Sequence, residues 1–590
     1  MIFGNRKAAL KLYNAINHSN YQNPEDLEIT TIEGAIYMGV KNDLSFLIDS
    51  VMNLYEAQST RNPNMPLRGL IYFARVYQGY VEKRELDLYS GSRIKIPLPR
   101  YIVFYNGSEE EPDRREYRLS DAFEKKQDSY CLECVATVLN INAGHNRQLM
   151  EDCSLLWQYA SFVSKVRRYL EMYPEDLEGA VDRAVEECIA EGILADTKQY
   201  RQELEERAGF TAPMAKVLAK SAGQFVSRRE STDGKTILAG YPFFEDWGRD
   251  TMIALPGVCI STGQYETAKE ILRTFAVHEK DGLMPNLFPE GKNEPRYNTV
   301  DAALLFINCV YLYYQAAGDL DFVKEVWPVM ERIVANYQAG TRHGIRMDED
   351  GLILAGEGLD QVTWMDVRVG DLLPTPRHGK PVEVNAYWYN ALRIMEMFAS
   401  ELGMEYTGYG VLSDKVRTSF RQQFWNEEKG CLKDLISGTK ADTQIRCNQI
   451  WAVSMPFGMM DEEQERQVVR TVYEKLYTPY GLRTLEEADE EFHPFYGGEM
   501  IKRDLAYHQG TVWVFPLGAY YLAYLKVHGY SEEARQHVRK QLEVMESAMR
   551  EGCIGQLPEI YDGGNPTSSK GCFAQAWSVG EILRVYEAVE

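Results

Sequence analysis

From Thr211 to Glu590 the chain is almost a continuous string of helix-length segments, and this narrows its fold more than any other property. Apolar residues recur at three- and four-residue spacing through Ala212–Arg228, Gln264–Glu279, Thr299–Ala317, Asp321–Ala339, Val384–Leu402 and Gly408–Phe424. The same spacing continues through Asn448–Phe457, Asp461–Leu476, Gly510–His528, Ser531–Glu551 and Phe573–Val589. A stripe of that period has to be buried against another helix. About a dozen such helices joined as successive hairpins predict two concentric rings, an all-α (α/α)6 barrel. Alternate loops of such a barrel build a cup, and the loops here are rich in Trp, Tyr, Asp, Glu, Gly and Pro.

The preceding residues follow a different pattern. Leu70–Tyr77, Arg100–Tyr105 and Leu132–Ile141 are short β-branched or aromatic runs that predict strands, the second ending at the Asn106-Gly107 turn signal. Leu155–Leu170 and Leu177–Ile193 have helical spacing. This mixture predicts an α+β (or α/β) domain over 1–195. The charged run Asp196–Arg207 predicts a solvated spacer helix within a linker at 196–210. The barrel occupies 211–590, and a chain of 590 residues is too long for one core.

A net charge of −23 argues against a general surface for nucleic acid or anionic membrane, and is indifferent to neutral sugars. The opening Met1-Ile-Phe-Gly-Asn-Arg-Lys7 lacks the apolar run of a secretory signal, and no uncharged apolar stretch is long enough to span a bilayer. These features predict a cytoplasmic protein with no membrane partner, its ten cysteines reduced. Cys131-Leu-Glu-Cys134 has no second pair and reads as packing thiols.

Tyr241-Pro-Phe-Phe-Glu-Asp-Trp-Gly-Arg-Asp250 crowds three carboxylates, one guanidinium and four aromatic rings into ten residues. Aromatic faces pack on the apolar faces of a sugar ring, and Asp with bidentate Arg fixes its hydroxyls. Similar clusters recur at Gly282–Asn286, Tyr297–Asp301, Thr363–Asp366, Tyr507–Trp513 and Leu557–Tyr561. Glycoside hydrolysis needs one protonated and one ionised carboxyl across the scissile bond. Asp366 follows Trp364 and Met365, an apolar wall that would hold a proton on it. Glu559, between Pro558 and Tyr561 and ahead of the last helix, suits a base at the cup. Each has a plainer reading: Asp366 as a helix cap, Glu559 as a loop carboxylate, His508 as a donor to a carbonyl, Trp513 and Trp577 as core. The joint occurrence carries the argument.

On the stretches Lys235–Thr251, Tyr297–Asp301, Thr363–Asp366, Gly379–Ala386, Tyr507–Gly510 and Gln575–Ser578, the region 211–590 resembles the amylo-α-1,6-glucosidase domain of bacterial and archaeal glycogen-debranching enzymes. The resemblance implies an (α/α)6 barrel and inverting hydrolysis of an α-1,6-linked glucosyl stub on a branched α-glucan, glycogen or limit dextrin. It implies neither metal nor organic cofactor. It places Asp366 as general acid, Glu559 as C-terminal base, and Trp247, Arg249, Asp250 and Asp301 around the non-reducing glucose. Trp364, His508, Gln509, Trp513 and Trp577 complete the substrate-binding set read from the clusters. Inversion requires the two catalytic carboxyls to stand about 6.5–9.5 Å apart.

Residues 1–195 resemble another family, the Rpn-like recombination-promoting nuclease or transposase proteins of the PD-(D/E)xK class. The stretches are Leu27–Glu33, Lys41–Phe46, Leu54–Thr60, Asn62–Arg68 and Arg100–Gly107. That class holds Mg²⁺ between an Asp and a Glu on adjoining strands. The resemblance places Asp43 and Glu56 as metal ligands, with Gln58 and Glu33 as helpers and DNA as partner. The usual His between Glu and Gln is Ala57 here, which suits a retained scaffold as well as a cutting enzyme. Three readings follow: a glucan hydrolase with an appended nuclease-like module, a Mg²⁺-dependent DNA endonuclease with a passenger barrel, or a non-catalytic glucan-binding protein.

Overall fold

The computed structural model describes every residue except 1–5, 31–43, 290–293, 405–407, 551–554 and the single positions 85, 128, 175, 194, 233 and 243. The chain divides into two units, Met1–Lys198 and Gln199–Glu590.

The first unit is built on strands β1 (Glu28–Ile29), β2 (Leu44–Ile48), β3 (Val51–Gln58), β4 (Leu98–Tyr105), β5 (Arg114–Arg118) and β6 (Val135–Asn140). They lie in the order β1-β2-β3-β4-β6-β5, with β3, β4 and β6 mutually parallel and the outer pairs antiparallel. Alternation along the central strands feeds two cores. Tyr55, Ile102 and Phe104 pack with residues of α1 (Arg6–Asn17), while Met52, Leu54, Tyr101 and Val103 pack with those of α2 (Met65–Lys83). Helices α3 (Arg147–Asp152) and α4 (Ser154–Met172) join the first of these cores, and α5 (Leu177–Ala190) packs on α4.

The strand expected at Leu70–Tyr77 is instead the middle of α2. Its buried residues Met65, Gly69, Tyr72, Phe73 and Val76 repeat at helical spacing, a period that the aromatic and β-branched content masked. Pro66 in the first turn needs no hydrogen-bond partner for its nitrogen there. The charged helix α6 (Ala195–Ala208) forms, but it is more than a solvated spacer. Leu204 is buried, and Glu205 accepts from Lys220 at 2.9 Å.

The second unit contains α7 (Pro213–Ala222), α8 (Gly248–Leu255), α9 (Tyr265–Val277), α10 (Ala302–Ala317), α11 (Leu320–Ala339), α12 (Val382–Glu401) and α13 (Tyr409–Phe424). It continues with α14 (Trp451–Ser454), α15 (Glu462–Leu476), α16 (Met500–Ala506), α17 (Phe515–Val527), α18 (Glu532–Ala548) and α19 (Ala576–Val589). Contacts run α8–α10–α12–α14–α17–α19 and back to α8, a closed inner ring of six. Helices α7, α9, α11, α13, α15 and α18 pack outside it. The two rings differ in sequence because they differ in burial. Inner α10 buries every residue from Ala302 to Val310, whereas outer α18 buries only a stripe that includes Val538, Leu542 and Met545. Three outer helices start on a side-chain cap: Asp319, Asp461 and Ser531 accept from the amides of Phe322, Gln464 and Ala534.

Several helix limits differ from the sequence expectation. Ala212–Arg228 ends at Ala222, and Val226–Arg229 pairs as a strand with Gly234–Ile237. Asn448–Phe457 shrinks to a 3₁₀ turn, Cys447–Ile450, followed by the short α14, because Pro456 holds Met455 extended. The start of Gly510–His528 is extended, with Val512 and Trp513 in a strand. Helix α8 had no counterpart in the sequence reading. It continues in wide π turns over Pro256–Ile260, where Gly257 lets the Gly580 carbonyl of α19 approach so closely that any Cβ would collide.

Candidate active site

The N-terminal ends of the inner helices carry five of the expected site residues. Arg249 and Asp250 occupy the first turn of α8, Asp301 caps α10, Trp513 lies just ahead of α17, and Trp577 opens α19. Unsatisfied amide groups give each such end a partial positive charge that favours nearby carboxylates. The first turn of α8 is pressed against the loop before Leu287. Gly248 N donates to Asn286 O at 2.7 Å, and a side chain at Gly248 would collide with Pro285 O. Trp247 bridges to Leu287 and meets Phe244 edge-on.

Arg249 is the centre of this arrangement. Buried, it donates through Nε to Asp301 Oδ2 at 2.7 Å, through Nη1 to Asp366 Oδ2 at 2.9 Å and through Nη2 to the Val362 carbonyl at 3.3 Å. Burial pushes the Asp301 and Asp366 carboxyls up, and Arg249 opposes without cancelling it. Asp366 keeps 34% of its side chain open, while protein packs closely around the rest. Asp250 rises well above the usual range, first from burial and then from the charges of Asp366, Glu559 and Asp301, with Arg249 pulling against them. These four carboxyls therefore share one electrostatic neighbourhood.

Glu559 lies buried on the loop ahead of the Ile560–Tyr561 strand. Its Oε1 accepts from the Tyr507 hydroxyl and its Oε2 from the Cys572 amide at 2.8 Å. Burial raises this carboxyl to about 7; the two donors hold it down, and the charge of Asp366 adds to the rise. Gly571 is adjacent at φ +66°, and an added Cβ would run into Glu559 Oε2. Only glycine meets both conditions.

The remaining residues are placed as follows. Trp364, Trp513 and Trp577 are buried and pack with Phe515, Trp577 stacking on it at 4.3 Å. His508 lies edge-on to Trp364 and stacked against Trp513. Burial, helped by the charges of Arg446, Arg249 and Arg377, pushes His508 far down, so the imidazole is neutral. Gln509 ties loops together, donating to Pro374 O at 2.7 Å and accepting from Arg446 Nη2 at 2.6 Å. Among the described residues, Asp301 Oδ1, Asn286 Oδ1, Thr299 Oγ1, Trp577 Nε1 and both His508 nitrogens are buried with no protein partner. A hydroxyl-rich ligand has the donors and acceptors to satisfy such atoms. Asn286, Thr299 and Tyr507 lie inside the sequence clusters without an assigned role, and Arg446 lay outside them.

In the first unit, Glu56 and Gln58 are two apart on β3 and share the face toward α2. Glu56 accepts from Tyr101 Oη at 2.6 Å and from Arg68 Nη2 at 3.4 Å. Gln58 lines a small pocket with Thr60, Arg61, Glu111 and Tyr117. Asp43 and Glu33 lie outside the described residues. Among the described residues no three His, Cys, Asp or Glu side chains are grouped to hold a metal ion, and no helix is long and apolar enough to cross a membrane.

The glycogen debranching enzyme of Saccharomyces cerevisiae (strain ATCC 204508 / S288c) is 26% identical over 432 residues, covering 55% of this chain. The chain spans 28% of the length of that relative. The GH63 mannosylglycerate hydrolase from Thermus thermophilus, in complex with Tris and D-glycerate, aligns with 63% of this chain and 99% of its own. Its identity is 14% and its TM-score 0.46. The same hydrolase in complex with glucose gives 15% identity and a TM-score of 0.45, over 62% of this chain and 98% of its own. Residues 220–584, well over half of the chain, match the family described as amylo-alpha-1,6-glucosidase, a family of glycoside hydrolases, and the chain belongs to it.

Proposed function

We propose that residues 211–590 release α-1,6-linked glucose from a branched α-glucan, glycogen or a limit dextrin, with inversion at the anomeric carbon. One observation carries this reading: a half-buried carboxyl, Asp366, and a buried one, Glu559, that sense each other's charge are held in opposite ways. Asp366 is anchored through Oδ2 by Arg249, which leaves Oδ1 to carry a proton. Glu559 accepts a donor on each oxygen, and these donors favour its ionised form against the burial that raises it.

In this scheme Asp366 Oδ1 protonates the glycosidic oxygen as its bond to C1 breaks. A water on the opposite face adds to C1 and gives its proton to Glu559, so the first product is β-glucose. Arg249 and Asp301 fix the acid and the non-reducing glucose, and Asp250 and Trp247 stand beside them. Acid, base and water account for every proton and bond, so turnover is expected to survive a chelator. The test is glucose release from a limit dextrin bearing single α-1,6 glucosyl stubs, with the first-formed anomer read by NMR. Absence of glucose, or initial α-glucose, ends the reading. Maltooligosaccharide binding without turnover would favour a glucan-binding protein instead.

For the first unit we infer a PD-(D/E)xK-like module of the Rpn-like type, retained as a scaffold. The support is its mixed sheet, with α2 crossing between parallel β3 and β4. Glu56 does not suit a Mg²⁺ ligand, because both oxygens accept from protein donors and Arg68 supplies the neighbouring charge. Plasmid nicking that requires added Mg²⁺ and is lost in Asp43→Ala would restore the endonuclease reading.

A further inference from the structure

Behind the segment that carries Asp366 runs a line of buried polar side chains. Trp364 and Met365 immediately precede Asp366, and both touch Asn448. Trp364 Nε1 donates to Asn448 Oδ1 at 2.7 Å. Asn448 Nδ2 donates to Asp434 Oδ1 at 2.8 Å and lies 3.5 Å from Met365 Sδ. Asp434 Oδ2 accepts from Arg377 Nε at 2.9 Å, and the far edge of that guanidinium grips both oxygens of Glu383. All of these residues are buried. They come from separate places: the acid segment, the turn before α14, the bend between the Cys431–Leu432 and Leu435–Ser437 strands, the loop before α12 and the first turn of α12.

Each link has one allowed sense. An indole nitrogen only donates, so Asn448 must present its oxygen to Trp364 and its amide protons to the carboxylate. Apolar residues of similar volume would commonly stabilise such a space as well as an ion triad does. What the triad adds is a fixed orientation for Asn448, and through it for the two residues that aim Asp366.

We propose that Asn448, held by Asp434 and Arg377, is a positioning residue that sets the direction of Asp366 through Trp364 and Met365. This rests on the reading of Asp366 as proton donor. It acts on transition-state geometry, so its loss lowers kcat and leaves KM little changed.

A double-mutant cycle in the full chain tests it, with Asn448→Ala, Trp364→Phe and both together, assayed on the limit dextrin. Each single change is expected to lower kcat on the order of 10- to 100-fold. The double variant should be no worse than the poorer single, because all three cut the same link. Multiplying losses, a change confined to KM, or wild-type kcat in Asn448→Ala overturns the proposal. Should Asn448→Ala fail to fold, Trp364→Phe decides alone, since it removes the indole N–H and keeps an apolar ring. The indole N–H resonance, assigned by its disappearance in Trp364→Phe, should shift in Asn448→Ala; an unshifted resonance overturns the proposal whatever the activity. Absence of glucose release from the wild type removes the glucosidase reading and this role together, whereas an active wild type with multiplying losses removes only the role.

Discussion

Arg249 Nη1 lies 2.9 Å from Asp366 Oδ2, on a guanidinium whose Nε reaches Asp301 Oδ2 at 2.7 Å. One planar cation thereby sets the distance between an acid on a loop and an acid at a helix cap. A lysine ammonium is a point charge and cannot hold both contacts in that geometry. Arg249→Lys is expected to fold and to lose on the order of 100-fold in kcat/KM, through misplacement of Asp366. Arg249→Met leaves the buried Asp301 carboxyl without its cation and should lose roughly 3–5 kcal/mol of stability. Steady-state kinetics and urea unfolding check the pair. Wild-type kcat in Arg249→Lys would remove the bridge from the mechanism.

The Tyr507 hydroxyl donates to Glu559 and opposes the burial that raises this carboxyl to about 7. The pH dependence of kcat/KM reports groups of the free enzyme. An ionised Glu559 is needed, so kcat/KM should fall as pH drops through about 7. Tyr507→Phe takes away a donor that favours the ionised form, so this limb should move to higher pH. A limb that stays in place or moves to lower pH contradicts the assignment of Glu559 as base.

The candidate site is unevenly visible in the sequence. Asp366, Glu559, Asp301 and Arg249 were visible as candidates because each sits in a local crowd of polar and aromatic residues, in loops or first turns around the inner helices. Arg377, Asp434 and Asn448 were not, because they meet only after folding and each looks ordinary beside its neighbours in the chain. Helix α8 has no long periodic run: Gly248, Pro256 and Gly257 are poor helix formers, yet two of them serve close backbone approaches to Pro285 and Gly580. In the first unit Leu70–Tyr77 misled because side-chain type suggested a strand while burial spacing is helical. The charge of −23 said little about the cup, where Arg249 pairs with buried Asp301 and half-buried Asp366.

His508 is buried among Trp364, Tyr507 and Trp513, with neither ring nitrogen partnered among the described residues. Its folded-state value lies well below the usual one, from burial first and then from Arg446, Arg249 and Arg377. The unfolded chain therefore takes up a proton at about pH 6.5 that the folded chain refuses. The stability from a neutral His508 is complete above that pH and is lost as pH falls toward the folded value, at up to ~1.4 kcal/mol per unit. His508→Phe should flatten this slope while keeping an aromatic ring in place. Thermal unfolding of both proteins from about pH 7.5 down to about 5 compares the slopes. Equal slopes would place a protonated imidazole in the fold and contradict its burial as a neutral ring.

Gly571 has φ +66° and abuts Glu559 Oε2, the oxygen that also accepts from the Cys572 amide at 2.8 Å. An alanine there meets two penalties: a left-handed backbone and a methyl group placed on the carboxylate. The backbone penalty alone is about 1–2 kcal/mol, which a large helical core can absorb. The steric conflict must be relieved by moving Glu559, since the opposing atoms are its own side chain. Gly571→Ala is therefore expected to fold with a modestly lower midpoint and to lose kcat on the order of 100-fold, because the base is displaced from the attacking water. Gly564→Ala, in the turn between the Ile560–Tyr561 and Ser569–Lys570 strands and facing Pro494 and Phe495 and not Glu559, controls for disturbance of this region as such. Comparable kcat losses in the two variants would mean that loop order, and not the position of Glu559, limits turnover.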